Sequence, residues 1–302
     1  MNTQPTLAQI LNDARNKGIA VPHFNVADVA QLNAVVESAV ALDAPVVIGV
    51  SEGERAFWHS GRIAALIRHI REKEGVPIFL NADHTHSIEK IKEAVEAGFD
   101  AVLYDAGKKP LDQNIQETKQ VVAFVREYNQ QHNTHILVEG ELGYIGSGSM
   151  ILDNIPEGAA VQEKDMTSVQ DAIRYVQETG VDLLAPAVGN LHGMFSNAAN
   201  PAINITRIKE LADAVPAHLV LHGGSGIVAE QFLQAISAGV AMVHISTELR
   251  AAWRRGIDLA LLSHSNEIAP YKIYPEAAKE VKKVVDEKIQ LFYHYGRNQS
   301  QG

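Results

Sequence analysis

The chain has 302 residues, 46% of them hydrophobic and 21% charged, with a formal net charge of −10. That length and composition suit an α/β barrel with a sizeable core, and the acidic balance speaks against a nucleic-acid partner, whose phosphates call for basic surface. The absence of cysteine excludes a disulfide framework, thiolate metal ligands and a cysteine nucleophile, and it fits a cytoplasmic location. No stretch approaches the roughly 20 apolar residues of a membrane helix, so no membrane partner is expected.

Along the chain, MNTQPTLAQILNDARNKG (1–18) lacks the basic-then-apolar order of a signal peptide and reads as an amphipathic helix. Apolar, β-rich runs follow at 20–26, 45–51, 77–83, 101–105, 135–141, 182–188, 218–222 and 241–246. Helical stripes lie between them: Ile88, Ile91 and Val95 share one face, as do Val169, Ala172, Ile173 and Val176. Three helix-to-strand joints repeat a pattern, AGFDAVLYD (97–105), TGVDLLAPA (179–187) and AGVAMVHIS (238–246). Their Gly98, Gly180 and Gly239 suit the left-handed residue that closes a helix. Eight strand–helix units predict a (β/α)8 TIM barrel with an N-terminal helix and an extra C-terminal helix. A doubly wound sheet is the competitor, and it lacks its dinucleotide fingerprint here. One domain over 1–302 is expected, with 144–167 a loop insertion and 270–302 a helical extension carrying the stripe Val281, Val284, Val285 and Ile289.

In such a barrel the active site lies at the C-terminal ends of the strands. Residues there include Asp83-His84, Asp105, Glu139 and Glu141, then His192 in GNLHG, His222 in LHGGSG, and His244 followed by Ser246-Thr247. His84, His192 and His222 come from three strands, so they can converge on one ion and leave a coordination position open, as a catalytic zinc requires. A single such histidine would more often be a cap or a satisfied core group; three beside glycines favour a metal. The glycine-rich turn 221–226 and the hydroxyls of Ser246 and Thr247 suggest an anion cradle where barrels recurrently hold phosphate. His86 reads as a first-turn surface residue. His23, with seven others, reads as structural or solvated.

Taken in order, AVPHFNV, NADHTHSIEKIKEAVEAGFDAVLYDAG, VEGELG, GNLHG, LHGGSG and HISTE resemble the class II, metal-dependent ketose-bisphosphate aldolases over nearly the whole chain. The resemblance implies a (β/α)8 barrel, dimeric or tetrameric, that reversibly cleaves a ketose phosphate to dihydroxyacetone phosphate and an aldehyde through a metal-stabilised enediolate. By the same resemblance His84, His192 and His222 are the Zn2+ ligands, and Asp83 moves the hydroxyl proton. Asp105 and Glu141 match a second or displaced metal site. Gly193, Gly223, Ser225, Ser246 and Thr247 match the phosphate and monovalent-cation region, and Asn25 and Ser51 match substrate contacts. Asp83 could also cap the next helix, though Ser87 is better placed.

Several positions depart from the family pattern. Ser196 and Asn197 stand where a phosphate-holding lysine is common, and His244 replaces an asparagine that assists the enediolate. Asn81 replaces a histidine, YIGSGSM (144–150) replaces an acidic stretch, and no arginine for a distal phosphate stands out. His244 is expected at the site as an oxyanion donor, a phosphate contact or an extra ligand. The departures leave a ketose 1-phosphate as reasonable as a bisphosphate, and keep open a non-catalytic sugar-phosphate-binding paralogue or a zinc-dependent barrel hydrolase. A Schiff-base mechanism would need a desolvated lysine; Lys108 and Lys109 have polar flanks.

Overall fold

A computed structural model describes residues 4–146, 148–153, 162–195 and 200–299. Eight parallel strands close into a barrel: β1 (Val21–Asn25), β2 (Val46–Val50), β3 (Ile78–Thr85), β4 (Ala101–Tyr104), β5 (Leu137–Leu142), β7 (Leu183–Pro186), β9 (His218–Leu221) and β10 (Val240–Ile245). Sequential neighbours pair all the way round, and β10 returns to β1 with His23 opposite His244. Two short strands, β6 (Ile151–Leu152) and β8 (Met194–Phe195), pair in parallel as a separate sheet. They join the loop after β5 to the loop after β7, a link the expected 144–167 insertion did not include.

Helices ring the barrel: α2 (Val29–Ala41), α3 (Glu52–Trp58), α4 (Ser60–Glu74), α5 (Ile88–Ala97), α6 (Leu111–His132), α7 (Val169–Thr179), α8 (Ile205–Ala214), α9 (Ala229–Ser237), α10 (Thr247–Ser263) and α11 (Pro270–Gln299). The first helix, α1 (Leu7–Lys17), is fixed by a Thr6–Gln9 capping box and lies across the barrel floor. Helix α11, the expected C-terminal helix, packs firmly onto the ring. Val281, Val285 and Ile289 are buried, Phe292 meets Phe232 edge-on with ring centroids 5.1 Å apart, and the Ala20 amide donates to the Phe292 carbonyl.

Two of the glycine joints close their helices as the repeat predicts, Gly98 and Gly180 both being left-handed. The third differs. Helix α9 ends on Ala238, and Gly239 (φ +118) instead makes room for Ala212, which a Cβ would strike. Ser87, not Asp83, caps α5 by accepting from the Lys90 amide.

Strand side chains alternate between two environments. Ile48, Leu80, Val102, Val138, Leu184, Leu221 and Val243 pack outward with the helices. Val21, Val47, Phe79, Ala101, Leu137, Leu183, Val220 and Met242 cluster inside, on Leu7, Leu11 and Ala14 of α1. Two residues further along the strands the interior changes character, to His23, Asn81, Glu139 and His244, and then to Asn25, Asp83 and Glu141 at the mouth. All seven of these polar residues are buried. An apolar floor beneath a polar upper layer is what positions the site.

No helix among the described residues is long and apolar enough to cross a membrane. Because Leu11 is fully buried against the barrel floor, Leu11→Ala should lower stability by about 2–5 kcal/mol in urea unfolding.

Candidate metal centre and active site

The site begins with a distortion of β3. Its ladder to β4 slips between Ala82 and Thr85, and His84 between them adopts φ +35. For a residue with a Cβ this left-handed backbone costs about 1–3 kcal/mol. The bulge keeps β3 paired two residues beyond the expected end at 83, since Asp105 donates its amide to the Thr85 carbonyl. It also presents Asp83 and His84 side by side at the barrel mouth.

His84, His192 and His222 meet there. Their ring centroids lie 4.6, 5.0 and 5.6 Å apart, and one ring nitrogen from each lies within 4.8 Å of the others. Each ring has its opposite nitrogen engaged. His84 Nδ1 donates to Asp105 Oδ2 at 2.9 Å, His192 Nδ1 to the Gly146 carbonyl at 3.0 Å, and His222 Nε2 to Glu139 Oε1 at 2.7 Å. In the neutral rings that leaves lone pairs on His84 Nε2, His192 Nε2 and His222 Nδ1. His222 Nδ1 has no partner although buried, and the two Nε2 atoms face each other at 3.1 Å. Three nitrogens aimed at one point need positive charge between them, supplied by a proton on His84 Nε2 or by a divalent ion that displaces it, so this donor set fits a divalent ion.

Carboxylates surround that point. Burial pulls the His84 imidazole down, but Asp83, Asp105 and Glu141 outweigh it and hold it up at about 10. Glu141 Oε2 lies 3.7 Å from His84 Nδ1. Burial, with the charge of Asp105, pushes the Glu141 carboxyl well above its usual range. Asp105 and Glu141 thus flank His84, behind the meeting point of the three rings. His86 lies outside, mostly exposed, its Nδ1 3.3 Å from the Asp105 carbonyl oxygen.

Asp83 is buried beside His84. Asn25 Nδ2 donates to Asp83 Oδ2 at 2.9 Å and also to Glu54 Oε2 at 3.1 Å. Burial raises the Asp83 carboxyl, but His84, His244 and His23 more than offset it and hold it well below the usual range. His244 Nδ1 lies 3.4 Å from Asp83 Oδ1, out of line for a hydrogen bond, and both its ring nitrogens lack partners. Its ring is stacked on His23 with centroids 3.4 Å apart and planes 1° from parallel. His23, Asp83 and His244 are close enough to suggest a second ion. The stack argues otherwise, because lone pairs in parallel planes 3.4 Å apart cannot both point at one ion. His244 is therefore a poor ligand for an ion shared with His23. Below it, Asn81 bonds His23 Nε2 at 3.1 Å. Gly49 leaves the space this requires, since a Cβ there would fall on the His23 ring.

Above the histidines opens a cavity of about 930 Å³. Asn25, Ser51, Gly193, Gly223, Ser225, His244, Ser246 and Thr247 all line it. Gly223 (φ +62) packs against the Leu191 carbonyl, leaving no room for a Cβ. The glycine-rich turn is less open to an anion than its sequence suggests. The Gly224 amide bonds the His244 carbonyl, the Gly226 amide bonds Glu248 Oε1, and α9 starts only at Ala229. The nearer helix end is that of α10, where Ser246 Oγ is buried without a partner and Ser225 Oγ accepts from the Ser246 and Glu248 amides. Buried Lys288 of α11 neutralises Glu248 at 3.0 Å. Ser51 caps α3, accepting from the Glu54 amide. Ser196 and Asn197 lie outside the described residues.

The comparisons with known proteins agree in kind. The family model for "Fructose-bisphosphate aldolase class-II" matches residues 5–297. The chain belongs to the class II fructose-bisphosphate aldolases. A fructose-bisphosphate aldolase of Thermus caldophilus is 31% identical over 96% of this chain and 98% of its own length. The crystal structure of the YdjI aldolase from Escherichia coli is 30% identical, with a TM-score of 0.77 over 97% of this chain and 98% of that one. A fructose-bisphosphate aldolase from Campylobacter jejuni shares the fold at 19% identity, with a TM-score of 0.76 over 95% and 93% of the two chains. The class II family implies a divalent metal, and the donor set described above suits one.

Three features of this aldolase escaped the sequence. Arg250 reaches the cavity, held by Glu54 Oε1 at 2.7 Å and the Ser149 carbonyl at 3.2 Å. Its position one helical turn after Thr247 was the available signal. Glu139 orients His222 from below, and the Gly146 carbonyl orients His192 from the loop after β5; neither sequence neighbourhood announces this. Among the described residues no lysine lines the cavity. Lys109 is instead paired with Glu117, and Lys108 lies over the Tyr144 ring.

His84 makes the metal-free aldolase pH-sensitive. Its folded pKa of about 10 exceeds the ordinary 6.5, so its stabilising contribution is complete below 6.5 and is lost as pH rises through 10. The thermal midpoint of chelator-treated protein should fall across that window, and His84→Gln should flatten the slope.

Proposed function

We propose that this aldolase reversibly cleaves a ketose phosphate to dihydroxyacetone phosphate and an aldehyde, with Zn2+ held by His84, His192 and His222. The observation that carries the reading is the set of three lone pairs, each prepared by a different acceptor, beside the buried carboxylate of Asp83. Zinc there would supply Lewis acidity toward the ketone, so that the electron pair left by carbon–carbon cleavage is held as an enediolate. Asp105 and Glu141 offer a second or displaced site behind His84.

The chain's own side chains divide the remaining work. Asp83 is ionised and takes the hydroxyl proton of the bond being broken, then returns it in condensation. Asn25 holds its far oxygen, leaving Oδ1 directed at the substrate. His244 offers a neutral ring to the substrate oxygens. The α10 N-terminus, with Gly193, Gly223, Ser225, Ser246 and Thr247, receives the phosphate of dihydroxyacetone phosphate, and a monovalent cation can share that region. Arg250 faces the distal part of the substrate, where a second anionic group would find the guanidinium now held by Glu54. A ketose bisphosphate and a ketose 1-phosphate with another acidic terminus both suit it. We further propose a cytoplasmic homodimer or homotetramer that acts on phosphorylated sugars and has no nucleic-acid or membrane partner.

Chelation should abolish cleavage, and added Zn2+ should restore it with one ion per chain; borohydride should trap no imine. Asp83→Ala should lower kcat by about 10²–10⁴-fold while metal content by elemental analysis stays near wild type. Loss of zinc in that variant would make Asp83 a structural residue instead.

A further inference from the structure

We infer that Arg55 is a positioning residue of this aldolase, its buried guanidinium holding the strained turn that aims His84 at the metal and Asp83 at the substrate. The inference rests on the metal reading proposed above and concerns how the protein keeps that geometry.

Arg55 lies midway along the short helix α3, which begins just past the end of β2, and only 4% of its surface is exposed. Its Nη1 donates to the Val50 carbonyl at 2.6 Å and to the Asp83 carbonyl at 3.1 Å. Its Nη2 donates to Thr85 Oγ1 at 2.7 Å, and that hydroxyl donates in turn to the Ala82 carbonyl at 3.3 Å. The contacts therefore grip the chain on both sides of His84. The ladder between β2 and β3 stops at Val50 and Ala82. Arg55 takes over where it stops, tying the end of β2 to the bulge.

What it holds is costly to hold. Asp43, His59, His84 and Asn133 have positive φ among the described non-glycine residues. The other three sit at helix ends, and His84 alone lies within a strand. A strained backbone persists only where its surroundings over-determine it. A buried cation bonded to two carbonyls and a hydroxyl, with no carboxylate among those partners, is an expensive way to anchor a short helix. A planar fork is, however, well suited to fixing three acceptors at set positions, which a lysine ammonium on a flexible stem cannot match. The turn it fixes carries a metal ligand and its neighbouring carboxylate, where small misalignments are costly.

The test uses the full-length protein carrying Arg55→Lys, Arg55→Met or Thr85→Val. Zinc affinity is read by competition with a chromophoric chelator, the ligand field by the visible spectrum of the cobalt-loaded protein, and folding by thermal midpoint. Arg55→Met and Arg55→Lys should each bind zinc about 10–100-fold more weakly and shift the cobalt bands. Guanidinium ion should bring Arg55→Met back toward wild type, and methylammonium should not. Thr85→Val should move the same readings less, and with Arg55→Lys it decides the matter if Arg55→Met does not fold. Variants that bind zinc as tightly as wild type with unchanged cobalt spectra would reduce Arg55 to a structural anchor, whatever happens to the thermal midpoint. A wild-type protein that takes up no zinc would instead overturn the metal reading, and this inference with it.

Discussion

The structure depends on keeping three imidazole rings pointed at one place in the mouth of the barrel. Each ring donates its other nitrogen outward: His84 to Asp105, His192 to the Gly146 carbonyl and His222 to Glu139. Those acceptors come from the residue after β4, the loop after β5 and β5 itself, so the donor set exists only when the barrel is closed and that loop is docked. The same need explains the strained His84. A regular strand would alternate Asp83 and His84 to opposite faces, and the bulge with its positive φ allows both to reach the mouth.

Charge is balanced around that point in layers. Asp83, Asp105 and Glu141 crowd the place where the three rings meet, and a divalent ion would be the natural counterweight to them. Further out, buried Arg55 lies against the backbone of Asp83, Lys288 neutralises Glu248 beneath the proposed phosphate end, and Arg250 is paired with Glu54. Asn25 connects two of these groups, using both amide hydrogens to reach Asp83 and Glu54. A hydrogen-bonded line thus runs from the Asp83 carboxylate to the Arg250 guanidinium.

Two residues that depart from the family pattern, His244 and Asn81, are linked through His23. His244 stacks on His23, His23 bonds Asn81, and Gly49 is small enough to admit the His23 ring. His23 read as an ordinary structural or solvated histidine because its partners lie on β2, β3 and β10, 26 to 221 residues away in sequence.

The sequence by itself determined the barrel, because alternating apolar runs and helical stripes record which faces must leave water, and it singled out His84, His192, His222 and Asp83 as candidates, because barrel chemistry gathers at strand ends. It also placed Ser87 rather than Asp83 as the cap. Tertiary structure alone decided which nitrogen of each histidine is free, that Glu139 and the Gly146 carbonyl set two of them, and that Arg55 and Arg250 belong to the site. Those facts depend on distances between atoms brought together by barrel closure, and hydrogen-bond direction and ring orientation leave no period or spacing in a chain. Likewise, the glycine-rich turn promised free amides, yet only the folded loops show that Gly224 and Gly226 spend theirs on His244 and Glu248.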